Sequence, residues 1–181
     1  SADDQLLVAA APGRPFDVAI PFGPIDHQYI DDNPTATPTD TYIVTVTVTD
    51  DDTLDGSAEQ PVIVDNVLPT LDAGSDQFVF EDDLVSLDPA VFGDIGTADT
   101  HTAQISWGDG SLVDDVVVTE FDGVLGDPNG ADGTLNASHR YTEPGKYQAT
   151  LCITDDDERH NAVCDTFTVT VVNAFLKFAA F

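Results

Sequence analysis

Methionine is absent from this chain, and basic side chains nearly so: 5 Lys and Arg stand against 34 Asp and Glu, a formal net charge of −29. A surface of that sign repels nucleic-acid phosphates and anionic lipids, which excludes both as partners. There is one tryptophan, there are two cysteines, and no apolar run approaches the roughly 20 residues of a membrane span, so membrane insertion is not expected. The opening "SADDQLLVAA" has neither an initiator Met nor a basic n-region, so it reads as a processed end or the middle of something longer rather than a signal peptide. H-E-x-x-H, G-x-S-x-G, P-loop and dinucleotide patterns are all missing, and no catalytic residue is expected.

What is present is Val, Thr and Asp in period-two alternation, with 41% apolar residues to build a core. Self-comparison finds one pattern twice. His27 to Asp52 and His139 to Asp157 each read His-x-Tyr, a turn, a second Tyr, an alternating strand and then Thr-Asp-Asp-Asp. In the first copy Tyr42, Val44, Val46 and Val48 share a face; in the second Tyr147, Ala149, Leu151 and Ile153 do. Further strands are expected at Gln77 to Phe80, Leu84 to Asp88, Thr102 to Trp107 and Leu112 to Thr119. About seven strands between residues 75 and 174 match an Ig-like sandwich, with Trp107 as a core anchor. The reading "GDPNGADGTL" (Gly126 to Leu135) lacks EF-hand spacing and is expected to be an exposed loop.

The combination of "AGSDQ", "WGDGS", "SHRYTEPGKYQATLCITDDD" and "TFTVTVVN" resembles the polycystic-kidney-disease-type (PKD) repeat. The fold class this implies is all-β, tandem Ig-like antiparallel sandwiches, with the first incomplete at its N-terminal side. Residues 1–65 are expected to be the C-terminal part of a first repeat, 66–174 a complete second repeat, and 175–181 an apolar tail. Aligning backward from the two histidines sets Ser1 nearly opposite Ser111, so the first copy lacks the segment bearing its own WGDG. Its apolar face would then need strands from elsewhere in the polypeptide or from a second copy.

In such a sandwich the B–C loop, the F–G loop and the linker meet at one pole. There Asn66, Asp94, Asp99, Asp155 and Asp157 form a candidate calcium site, with Asp50 and Asp52 as the equivalents in the first copy. The resemblance points to calcium as well. Centring the second hairpin on Glu158 sets Cys152 opposite Cys164, an expected cross-strand disulfide and a sign of maturation outside the reducing cytosol. His27 and His139 are expected to be structural hydrogen-bonders, His101 and His160 loop residues. Of the aromatics, only Phe121 and the tail phenylalanines look available to a ligand. The resemblance implies a non-catalytic structural or adhesive segment of an extracellular, secreted or cell-surface protein, partnered by copies of itself, flanking repeats, or a polysaccharide or matrix protein. An accessory binding module of a secreted hydrolase is the alternative.

Overall fold

The computed structural model describes residues 7–9, 25–29, 32, 36–49, 52–87, 89–97, 99–121, 130–157 and 161–174. Asp50, His160 and the tail 175–181 lie outside the described residues, as do 126–129 of the Gly- and Asp-rich stretch. Among the described residues, every regular element longer than a single turn is a strand.

Near the N-terminus, β1 (Leu7–Ala9), β2 (Thr39–Thr49) and β3 (Asp55–Asp65) form a three-stranded sheet in that order. β1 runs parallel to β2, and β2 pairs with β3 over eleven positions in antiparallel register, Tyr42 facing Val62 and Val48 facing Gly56. The alternation of Val and Thr accounts for β2, yet no residue of β2 or β3 is buried. Val44 and Val48 are exposed, and Ile43 and Ile63 on the other face are exposed as well. Tyr29 packs against Tyr42, and His27 meets Tyr29 edge-on, both at 4.7 Å between ring centres.

The rest of the chain is built around a single eight-stranded sheet. Its members are β4 (Thr70–Asp72), β7 (Ala90–Asp94), β10 (Ala131–Asn136), β9 (Asp114–Phe121), β8 (Thr102–Ser106), β12 (Gly145–Thr154), β13 (Val163–Val172) and β5 (Gln77–Phe80), in that spatial order. A separate pair joins β6 (Leu84–Ser86) to β11 (Ser138–Arg140). Neighbours in the large sheet are antiparallel except β13 and β5, which run parallel. The two halves of the sheet enclose one core, in which Phe92 and Leu135 from one half meet Ile105, Leu151, Ile153, Phe167 and Val169 from the other. That is the sandwich solution for strands with one apolar face.

Two strands depart from the expected reading. Ala131–Asn136 is a strand with Ala131, Gly133 and Leu135 buried, not an exposed loop, and Asp94 closes a strand rather than lying in a loop. The glycine that suggests a loop is there for packing: a β-carbon at Gly133 would collide with the Phe92 ring. Phe78 is also exposed, although the alternation suggests that it is covered.

The WGDGS segment and the His-x-Tyr motif turn out to be halves of one unit. Trp107 is fully buried, donates its indole N–H to Asp114 Oδ2 at 2.9 Å, and stacks on the His139 imidazole. The Tyr141 hydroxyl donates to the Trp107 carbonyl at 2.8 Å. Gly108 adopts φ +78°, and a β-carbon there would strike the backbone of Gln148, so neither its angle nor its space admits a side chain. Asp109 Oδ1 accepts the Ser111 amide at 3.0 Å and Oδ2 accepts from His139 Nε2 at 2.7 Å.

Burial opposes the charge on Asp109, but the bonds from Ser111 and His139 outweigh it and hold its carboxyl at about 2. A carboxyl depressed in the folded state stabilises above its ordinary range, and that contribution is lost as pH falls through about 2. We therefore expect Asp109→Asn to destabilise by about 1 kcal/mol at neutral pH. In urea unfolding at a series of pH values, the gap to the parent should narrow between roughly pH 4 and pH 2. A gap that is constant with pH would contradict this reading.

Candidate metal centre

Among the described residues, the buried charged side chains are six: Asp32, Asp94, Asp99, His101, Asp155 and Asp157. All of them belong to one place. Asp94, Asp99 and Asp155 each offer a carboxylate oxygen within 4.8 Å of the others, and so do Asp32, Asp99 and Asp157. Asp99 is shared, so the two triads are contiguous.

Three segments deliver these groups, and a fourth, at Asn66, is bonded to them. Asp94 ends β7, and its Oδ1 accepts the Gly96 amide at 2.9 Å, which turns the chain toward Asp99. Asp155 and Asp157 follow the end of β12. Asn66 immediately follows β3 and donates its side-chain amide to Asp155 Oδ2 at 3.1 Å. Asp32 lies upstream of β2 and is 1% exposed. Asp156, between the two site aspartates, accepts the Thr100 amide at 2.6 Å and so ties the loop after β12 to the loop after β7.

Of the residues expected from the sequence, Asp94, Asp99, Asp155 and Asp157 thus lie in the cluster, with Asn66 bonded at its edge. Asp52 is exposed in the turn between β2 and β3 and belongs to neither triad. Asp32 was not expected. It stands two residues before Pro34 in a sequence with no strand periodicity to mark its direction; only its place in the Asp-Asp pair 31–32 hints at an acidic role.

His101 lies in the loop just before β8, as expected, but is buried there. Its Nε2 lies 3.0 Å from Asp94 Oδ2 and its Nδ1 lies 3.1 Å from Glu120 Oε1, which also accepts the His101 amide at 2.6 Å. A carboxylate can only accept, so the ring satisfies both neighbours when both nitrogens carry protons. Burial opposes that cation, yet the bonds and charges of Asp94 and then Glu120 prevail and raise the pKa of His101 above its ordinary value.

One imidazolium does not balance five buried carboxylates. Like charges about 5 Å apart repel by roughly 3 kcal/mol at a protein's effective dielectric. The ligand atoms in both triads are carboxylate oxygens only, which suits a hard divalent ion of calcium's kind and does not suit zinc or copper. The packing around Asp99 is close: a β-carbon at Gly96 would overlap its carboxylate. Gly96→Ala should accordingly displace Asp99 and destabilise the protein by about 1–3 kcal/mol in urea unfolding. An unchanged midpoint would show that the carboxylate shifts without cost.

The remaining expected site is covalent. Cys152 and Cys164 face one another in the β12–β13 register and are disulfide-bonded, and no cysteine is free.

No curated protein matches the chain. A family model described as PKD domain matches residues 66–171, the segment from Asn66 through the whole Trp107–His139–Tyr141 unit to the end of β13. That match spans more than half of the 181 residues, and the chain belongs to the PKD domain family.

Proposed function

We propose that this protein is a non-catalytic structural or adhesive segment of an extracellular or cell-surface protein, in which calcium at the acidic pole stiffens the joint between the N-terminal sheet and the PKD domain. Family membership and the disulfide support an extracellular module. No helix among the described residues is long and apolar enough to cross a membrane. One observation carries the calcium reading: the buried carboxylates of the described residues all gather into two triads sharing Asp99. The other described acids stay in contact with water. Surface acidity from a salt-rich habitat predicts the reverse pattern, since it has no reason to bury charge.

Extracellular modules bind calcium at about 10⁻⁴–10⁻³ M, so millimolar calcium should raise the melting temperature and a chelator should lower it. Asp99→Asn removes the shared ligand. It should abolish the calcium response and, in chelator, melt no lower than the parent, because one buried charge has gone. A parent whose melt ignores millimolar calcium rules the reading out.

The N-terminal sheet supports a further part of the proposal. Val44, Val48, Ile43 and Ile63 are exposed, and burying a large apolar side chain is worth about 1.5–3 kcal/mol. Completion of this sheet as a first repeat, by strands of a second copy or of a flanking repeat, would bury them. Sedimentation should then show concentration-dependent association. A monodisperse monomer at every concentration speaks against assembly of copies. The alternative, a polysaccharide-binding accessory module, draws on the exposed rings of Phe78 and Phe121. Saturable pull-down on insoluble polysaccharide, lost in the double Phe→Ala variant, would favour it.

A further inference from the structure

The hairpin that carries the disulfide does not need it for its own pairing. β12 and β13 are matched at nine positions, from Gly145 with Val171 to Ile153 with Val163, and Leu151, Ile153, Phe167 and Val169 anchor both strands in the core. β12 is also held on its other side by β8, Cys152 lying opposite Gln104. The bond instead sits at the mouth of the loop, one pair from the end of the ladder.

What that loop holds is the joint. Asp155 binds Asn66, Asp156 binds the Thr100 amide, and Asp157 shares a triad with Asp32 and Asp99. Beside Cys164, Asp165 Oδ2 accepts the amide of Ala73 at 2.9 Å. The segment from Asn66 to Ala73 is thus fastened at both ends to residues flanking the disulfide. The bond is also within reach of solvent: Cys164 is exposed, and Cys152 lines an open groove with His101, Thr102, Gln104 and Thr154.

We propose that the Cys152–Cys164 bond is a thiol-sensitive latch on this joint, not a staple of the fold. The reaction is exchange with an external dithiol. A reductant thiolate attacks Cys164 Sγ, the Sγ–Sγ bond breaks, and Cys152 leaves as a thiolate. The second reductant thiolate then displaces Cys164 from the mixed disulfide. Two electrons and two protons pass to the protein, and the reductant closes into its own disulfide. With its mouth unpinned, the loop gains conformations in which Asp155 and Asp156 part from Asn66 and Thr100.

Hydrogen exchange on the full chain, oxidised and then held in dithiothreitol, tests this. The Thr100 amide should exchange roughly tenfold faster after reduction, while the Ile105 and Leu151 amides keep their protection, and reoxidation should restore the first state. Unchanged exchange at Thr100 overturns the latch. Equal acceleration at Ile105 and Leu151, or unfolding of a Cys152→Ser, Cys164→Ser variant, overturns it too, because the bond would then be holding the fold. Its effect on the metal rests on the calcium reading above: reduction should weaken calcium binding roughly tenfold by calorimetry, since preorganised ligands are lost. Oxidised protein that binds no calcium defeats that reading alone, and exchange still judges the latch. Equal affinity in both redox states defeats redox control of the site.

Discussion

Keeping five aspartates out of water at one point is the constraint on which the rest of this architecture depends. The charge on each carboxylate would be satisfied at far less cost on the surface, where most of the chain's acids are found. Burial requires three separate segments to converge, the end of β7 and its loop, the loop after β12 and Asp32 from further upstream, with Asn66 after β3 bonded to them. A sandwich is suited to this because its connections collect at the ends of the sheets, while the strands hold those ends rigidly. His101 moderates the charge from below, bridging Asp94 to Glu120. The remainder is the charge that the calcium proposed above would offset.

Away from that pole, the fold is secured by an interlock of a different kind. The tight turn at Gly108 and Asp109, the indole of Trp107 and the His139–Tyr141 pair are each bonded or stacked to another member. These groups come from positions some thirty residues apart, so their sequence motifs describe a single contact set. A carboxylate caps the turn and accepts from the histidine; a phenol satisfies the carbonyl that the turn would otherwise leave buried. The motif occurs where it does because all its parts must be present together.

How much of this could be read from the amino-acid sequence differs by element. Period-two alternation marked β2, β8, β12 and β13, because each has one apolar and one polar face. The cysteine register followed from centring one hairpin. Asp94, Asp99, Asp155 and Asp157 could be placed at one pole because an Ig-like topology fixes where loops meet. By contrast β10 was hidden by Gly133, a residue whose reason is the Phe92 ring lying over it in three dimensions. His101, in the loop before β8, and Glu120, on β9, are partners far apart in sequence, and nothing local records that. Asp32 has no periodic pattern around it in the sequence, and the aspartates it meets lie more than sixty positions away.

The single parallel pairing in the large sheet has a mechanical meaning. β5 lies beside β13, Gln77 opposite Val169 and Phe80 opposite Val172, and the Glu81 amide extends the ladder to the Val172 carbonyl at 2.9 Å. Chain arriving from Asn66 first passes β4, which is paired with β7, and then enters β5 at its N-terminal end, while chain leaving β13 departs past Asn173 from the C-terminal end; once β4 has come away, β5 and β13 carry the load. Opposed pulls on those two approaches draw the neighbouring strands lengthwise past each other. The ladder then resists in shear, its hydrogen bonds strained at the same moment instead of being unzipped in succession. In the structural role proposed above, a pull along the polypeptide would load this pair of strands in shear.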